Sequence, residues 1–256
     1  DPDDSGVDKD NWRREVGGNL TFSFPLDLYH RIVPGYEISW VDLPDETERL
    51  QGIILSLVRD TADYYIMEII SGSQVNLTAK YGNETLGSER SFQSYAGDLR
   101  FYTNLDMREY FGAGQRLVTS LRLHGGVKKD DPRLFVLGGQ DSLRGYDFNE
   151  FSGEMMWAAS LEFRYPFLVI DRTTTAWDFF HFQQLLAVTF ADSGQIWRDY
   201  QDSSSISGAE VGVGGGVRLQ MFFFGKIPFT VGFDVAQSVT DTERDPKVYL
   251  VLRLGG

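Results

Sequence analysis

Alternation of apolar and polar side chains is the dominant pattern in this chain. Between positions 155 and 165 the odd positions hold Met, Trp, Ala, Leu, Phe and Tyr, whereas the even positions include Glu162 and Arg164. Successive side chains of a β-strand point to opposite faces, so this segment predicts a strand with one apolar face and one charged face. Similar segments recur from end to end, and none has convincing helical periodicity. The pattern therefore predicts an all-β fold.

About twelve such segments can be distinguished, and most approach the roughly 9–11 residues that a tilted membrane-spanning strand needs. A long region rich in Gly, Pro and charge, residues 125–153, interrupts the pattern after the seventh segment. Composition marks no domain boundary, so we expect one β-domain over residues 16–256. The segments lie at positions 20–26, 36–40, 53–57, 65–69, 75–81, 95–102, 117–123, 154–165, 182–192, 209–219, 228–237 and 247–254.

Strands with two unlike faces suit two folds: a soluble β-sandwich or barrel with a dry core, and a membrane barrel with lipid outside and water inside. The polar faces favour the membrane barrel, because they carry Asn, Thr, Ser, Gln, Gly and acids mixed with Arg rather than the Lys and Glu of a solvent-facing surface. The apolar faces also end in Trp40, Tyr81 and Tyr165, where aromatic belts would lie. A soluble β module that binds a ligand in its interior remains the alternative.

Composition excludes several other classes. The longest apolar runs, such as 167–170 and 221–224, are far shorter than the roughly 18 residues of a membrane helix. The net charge of -13 argues against nucleic-acid binding. Because the chain has no cysteine, no paired histidines and no Gly-x-Ser-x-Gly motif, we expect no metal site, no cofactor and no catalytic residues. Five Asp without EF-hand spacing near the start predict an acidic tail or linker at 1–15.

The interruption contains a distinctive motif, FVLGGQDSLRGY at 135–146. This motif resembles the lid-loop signature of the BamA/TamA-like outer-membrane assembly and translocation barrels, in which two glycines and a short spacer precede Val/Leu-Arg-Gly-Phe/Tyr. Two further segments, LEFRYPF at 161–167 and FADSGQIW at 190–197, match the same family in the same order. Five strand-like segments follow the loop, as in the family. The lid-loop motif residues are Gly138, Gly139, Leu143, Arg144, Gly145 and Tyr146.

The resemblance implies that the lid loop, 125–153, folds inward and that Arg144 packs on the inner wall. The partners of the lid loop in the lumen would be Glu162, Phe190, Asp192 and Gly194, with Arg144 facing Asp192. Charge considerations agree, because Glu162 lies on the polar face of its strand and an arginine in a narrow lumen must find a carboxylate. Gly145 would supply a sharp turn with positive φ. Gly212, Gly214 and Gly216 share one face of a strand, which predicts a thinned wall where the loop approaches.

The family's usual barrel has about sixteen strands preceded by soluble POTRA modules, and neither fits within 256 residues. The resemblance therefore implies a transmembrane antiparallel β-barrel of about twelve strands, or the C-terminal part of a 16-stranded barrel. Its expected role is non-enzymatic, in outer-membrane protein insertion or protein translocation in the bacterial outer membrane. The alternative is a passive membrane anchor, pore or structural subunit for a soluble domain or partner complex. The expected partners are outer-membrane lipid and client outer-membrane proteins or partner subunits, with no nucleic acid.

Overall fold

The computed structural model describes residues 14–44, 46–65, 67–106, 116–176, 179–198 and 208–254, so most of the expected acidic tail at 1–15 lies outside the described residues. Strands dominate this part of the chain, and none of its helices is long and apolar enough to cross a membrane. The elements are β1 (Arg14–Thr21), β2 (Phe24–Pro25), β3 (His30–Asp42), β4 (Thr47–Asp60), β5 (Asp63–Tyr65), β6 (Glu68–Gly82), the 3-10 helix η1 (Glu84–Leu86), β7 (Phe92–Asp106), β8 (Arg116–Lys129), β9 (Phe135–Leu137), β10 (Phe151–Gly153), β11 (Met155–Ala176), β12 (Phe180–Trp197), β13 (Glu210–Phe223), β14 (Ile227–Ser238) and β15 (Lys247–Leu254).

One antiparallel sheet contains all the long strands. Its order is β1-β3-β4-β6-β7-β8-β11-β12-β13-β14-β15, with the short strands β2 and β5 attached to β3 and β6. Each long strand therefore pairs with the next one along the chain, which is the up-and-down topology of membrane barrels. The predicted all-β antiparallel fold is confirmed.

Two details differ from the sequence-based expectation. The segment 65–69 is not a separate spanning strand, because β5 turns back on β6 around Met67, with Tyr65 paired to Glu68. Six long strands thus precede the long connection in the described part of the chain, and five follow it. In addition, β8 continues through Gly125 to Lys129, because glycines there stay in register with β7 and β11. The long connection accordingly spans residues 130–154.

The sheet curls around a charged interior. Arg164 of β11 donates through Nη1 to Oε2 of Glu68 on β6 at 2.8 Å, although β7 and β8 lie between these strands in the sheet. Similarly, Arg133, just after β8, donates to Oε1 of Glu37 on β3 at 2.9 Å. Contacts of this kind cross the lumen, so they require the strongly curved sheet of a barrel.

The two faces of the sheet have the polarity of a membrane protein. On β11 the apolar side chains of Leu161 and Phe163 point outward and are 37% and 38% exposed. On the inner face Glu162, Asp192 and Asp234 are 6%, 2% and 1% exposed. Apolar groups outside and charged groups inside reverse the arrangement of a soluble β-sandwich with a dry core. This polarity contradicts the soluble β module that the sequence left open.

Candidate functional site

The connection between β8 and β11, residues 130–154, folds into the lumen, and we call it the lid loop. Its two arms pair as a short hairpin, with Leu137 of β9 opposite Phe151 of β10. Leu143 and Tyr146 are buried with Leu137 against Ala158 on the inner face of β11. Hydrophobic packing therefore holds the lid loop against the wall independently of its charged contacts.

The two glycines of the motif begin a tight turn. Gly138 and Gly139 have φ values of 120° and 90°, a region that side chains with a Cβ rarely adopt. The hydroxyl of Ser142 accepts from the backbone N–H of Gly138 at 3.0 Å and lies 3.2 Å from its carbonyl oxygen. An isolated bridge pairs Gly139 with Leu143. The turn directs the next residue, Arg144, towards the inner wall.

Arg144 makes a bidentate ion pair with Asp192 of β12. Its Nε and Nη2 donate to the two carboxylate oxygens at 2.6 and 2.8 Å, while Nη1 donates to Oε2 of Glu162 at 3.0 Å. The ring of Phe190 lies 3.3 Å from the guanidinium carbon, and the hydroxyl of Ser160 accepts a further bond at 3.2 Å. The planar fork of arginine suits this combination of bidentate and stacking contacts.

Glu162 belongs to a larger network that sequence reasoning did not find. Arg218 of β13 donates to both its oxygens at 3.1 Å, and Arg164 donates to Oε1 at 2.6 Å. Arg218 also contacts Asp234 of β14 at 2.8 Å. Arginines and carboxylates alternate, so each buried charge lies beside one of opposite sign. The missed signal was their position: Arg218 and Asp234 both lie on the inward-facing parity of their strands.

The charge of Arg144 is fixed by these neighbours. Burial alone would lower its pKa, but the hydrogen bonds that it donates to Asp192 and the negative charges of Asp192 and Glu162 outweigh burial and raise the pKa above its ordinary value. The guanidinium therefore stays protonated throughout the ordinary pH range. It is a structural cation that holds the lid loop, and it is not suited to proton transfer.

Glycines on β13 provide the space that the lid loop occupies. A Cβ on Gly212 would lie 1.8 Å from the carbonyl oxygen of Arg144, and a Cβ on Gly214 would lie 2.5 Å from the ring of Phe190. The expected approach of the loop to this wall is observed at Gly212, whereas at Gly214 the nearest neighbours are Phe190 and the backbone of β14. Gly194 of β12 has a different neighbour, because its Cβ would meet Leu137 at 3.1 Å. It therefore leaves room for the packed arm of the lid loop and has no contact with Arg144.

The end of the motif is held at β13, β14 and β15. Gly145, with φ of 98°, donates its N–H to the hydroxyl of Tyr249 at 3.0 Å, and that hydroxyl donates to the carbonyl oxygen of Tyr146 at 3.0 Å. The hydroxyl of Tyr146 contacts Glu210 at 2.6 Å and Ser238 at 2.7 Å. Tyr146 is 1% exposed, so the aromatic ring is an anchor for the loop.

The beginning of the lid loop has a second ionic cluster, which sequence reasoning also missed. Arg133 donates to both oxygens of Asp131 at 2.8 and 2.9 Å and to Glu37 of β3 at 2.9 Å. The other oxygen of Glu37 accepts from Lys80 at 2.6 Å. Asp131 and Glu37 are buried. The lid loop is therefore fixed near its beginning by this cluster and in its middle by Arg144 and Tyr146.

Beside Arg144 the lumen keeps a polar cavity of about 420 Å³. Its walls include Arg100, Arg122 and Arg253 as well as the network around Glu162. Within the described residues, no group of three or more His, Asp or Glu is placed to hold a metal ion. The cavity is thus a charged compartment enclosed by the sheet and the lid loop.

Comparisons with known proteins give two findings. The model of the Omp85 superfamily domain matches residues 3–251 of the chain. Among solved structures, the fold is similar to that of BamA from Haemophilus ducreyi lacking POTRA domains 1-3, with 14% sequence identity and a TM-score of 0.65 over 95% of this chain and 54% of that chain. The chain therefore spans about half the length of that structure. No curated protein matches the sequence significantly.

Proposed function

We propose that this chain, which belongs to the Omp85 superfamily, forms the membrane barrel of a non-enzymatic protein that inserts or translocates other proteins at the bacterial outer membrane. The observation that carries the proposal concerns the two outermost long strands of the described sheet, β1 and β15. Within the described residues, the ladder of β1 is to β3 alone among the long strands, and the ladder of β15 is to β14 alone. A continuous ladder between β1 and β15 would instead favour the passive anchor or pore.

Free edges have a strong physical consequence in a bilayer. An unpaired edge presents a row of backbone N–H and C=O groups, and each group left unsatisfied in hydrocarbon costs several kcal/mol. A client strand that adds to such an edge supplies the missing partners, as in other cases of β-augmentation. An edge exposed at membrane depth is therefore a template for an incoming strand.

Both edge strands are suited to this role. Each has eight residues, and each carries apolar side chains on its outer face, Val16 and Leu20 on β1 and Leu250 and Leu252 on β15. A client strand paired with either edge would continue an apolar, lipid-facing surface. The lid loop and the Arg144 network would meanwhile keep the interior closed, so clients would leave sideways into the membrane.

Site-specific photocrosslinking tests the proposal. A benzophenone amino acid is placed at Val16 or Leu250 on the edges, or at the outward-facing Phe163 in the middle of the sheet as the matched control. An unfolded eight-stranded outer-membrane protein is then added to proteoliposomes, and its folding is followed by heat-modifiable gel mobility. We expect faster folding than in empty liposomes and crosslinks to the client at the edges only. Client folding no faster than in empty liposomes, or equal crosslinking at Phe163, would favour the anchor or pore.

A further inference from the structure

We propose that the lid loop is a tie between the two outermost long strands of the described sheet, with its beginning fixed beside β1 and its Gly145–Tyr146 segment fixed to β15. This role is separate from closing the lumen. It rests on the proposed function only because the edges it would hold together are those that a client strand would use.

The position of the lid loop in the sheet makes such a tie possible. It leaves the sheet between β8 and β11. Counting outward along the sheet, β1 is the fifth strand beyond β8, and β15 is the fourth strand beyond β11. The loop is therefore rooted near the middle of the sheet, in the wall farthest along the ladder from both edges. To contact strands at both edges, it must cross the lumen.

The first attachment is the Arg133 cluster. Arg133 donates through Nη1 to Glu37 of β3 at 2.9 Å, and the same nitrogen lies 3.5 Å from a carboxylate oxygen of Glu15 on β1 itself. The Glu15 contact is weak because that side chain is half exposed, so Glu37 is the principal partner. β3 pairs with β1 over eight consecutive residues, so β1 is coupled to the position of Arg133 through this ladder.

The second attachment is Tyr249 on β15. Its hydroxyl bridges the N–H of Gly145 and the carbonyl oxygen of Tyr146, both at 3.0 Å. Lys247 on the same strand contacts Asp147 of the loop at 2.7 Å, although that pair is largely exposed. The Tyr249 contacts are to the backbone of the loop, and both sets of contacts hold β15 directly, without an intervening strand.

Between the two attachments the loop is stiff. The hairpin of β9 and β10, the buried Leu143 and the ion pair of Arg144 with Asp192 fix it to β11 and β12. The edges could therefore separate at the lid-loop end only if one attachment breaks. Because the two attachments act in series, loss of either one releases the tie.

The absence of cysteine from the sequence permits a direct distance measurement. Nitroxide labels are attached to Val16→Cys and Val248→Cys, which face outward near the lid-loop ends of β1 and β15, and the distance between them is measured by double electron–electron resonance in lipid nanodiscs. We expect Arg133→Gln and Tyr249→Phe each to lengthen the distance by about one strand spacing, roughly 5 Å. The double variant should lengthen it no further than either single variant.

Matched variants separate the tie from general loss of stability. Arg90→Gln removes an ion pair with Glu48 at the same end of the sheet, and Tyr95→Phe removes an exposed hydroxyl, without touching the lid loop. Both should leave the distance unchanged. Heat-modifiable mobility confirms folding of each variant, and Asp131→Asn replaces Arg133→Gln if the latter does not fold.

Three results would overturn the tie: unchanged distances in both lid-loop variants, effects that add in the double variant, or equal lengthening in the controls. No client protein is present in this measurement. Failure of client folding in proteoliposomes would thus count against the proposed function alone, while an unaffected distance would count against the tie alone.

Discussion

Replacement of Arg144 by alanine would deprive Asp192 of its guanidinium partner. Glu162 would keep Arg164 at 2.6 Å and Arg218 at 3.1 Å. Asp192, at 2% exposure, would keep the hydroxyl of Ser160 and the backbone N–H of residue 144. Breaking a buried ion pair from one side typically costs about 3–5 kcal/mol, because the remaining charge is left uncompensated. The ratio of closed to open lid loop should therefore fall by roughly two to four orders of magnitude.

The assay is ion conductance through single barrels in planar bilayers, combined with protease protection of the lid loop. Arg144→Ala should raise conductance and expose the loop to cleavage. Arg144→Lys keeps the charge and loses the fork, so an intermediate effect is expected. Adding Asp192→Asn to Arg144→Ala should restore part of the closure, because the uncompensated buried charge is removed. Unchanged conductance together with unchanged loop protection in Arg144→Ala would refute the reasoning.

Three further outcomes follow from the same structure. Gly212→Ala should displace the lid loop and increase its proteolysis, because the new Cβ would lie 1.8 Å from a carbonyl oxygen. The control Gly18→Ala, which has open space around the new Cβ, should leave proteolysis unchanged. Equal cleavage of the two variants would contradict the packing. Phe163→Arg on the outer face should destabilise the folded barrel in bilayers by about 2–4 kcal/mol near the bilayer midplane, and an unchanged urea midpoint would argue against lipid contact there. Tyr146→Phe should lower the free energy of unfolding by about 1–3 kcal/mol, because Glu210 loses the hydroxyl of Tyr146 as a hydrogen-bond donor. The same urea titration measures this change. A change below a few tenths of a kcal/mol would show that the hydroxyl is not an anchor.

The alternation of side chains was sufficient to predict the all-β fold and which side chains share a face, but not by itself which face points outward. Glu162 and Arg164 lie on the inner face, where their even positions place them, and Leu161 and Phe163 lie outside. Alternation failed at 65–69 because the tight hairpin between the short strand β5 and the start of β6 preserves the same two-residue period as a single strand. It also failed at Gly125, where the lack of a side chain suggested a break although the backbone ladder continues.

The candidate site was predictable only where a motif marked it. The lid-loop motif pointed to Arg144 and Asp192, and in the structure Nε of Arg144 lies 2.6 Å from Oδ2 of Asp192. No local pattern could have paired Arg133 with Glu37, because these residues are 96 positions apart and meet only when the sheet curls. The same holds for Glu68 and Arg164. Such contacts depend on strand register and curvature, which a single sequence does not encode in its local periodicity.

The central claim is that apolar side chains face lipid while a charged interior holds the lid loop. Nitroxide scanning of positions 155–165, one cysteine at a time in bilayers, tests it most directly. Odd positions such as Trp157, Leu161 and Phe163 should be accessible to lipid-soluble oxygen and shielded from a water-soluble nickel complex, and even positions should lack this oxygen accessibility. We expect a two-residue period in the oxygen signal along the strand. Uniform accessibility, or odd positions shielded from both reagents in a dry protein core, would contradict it.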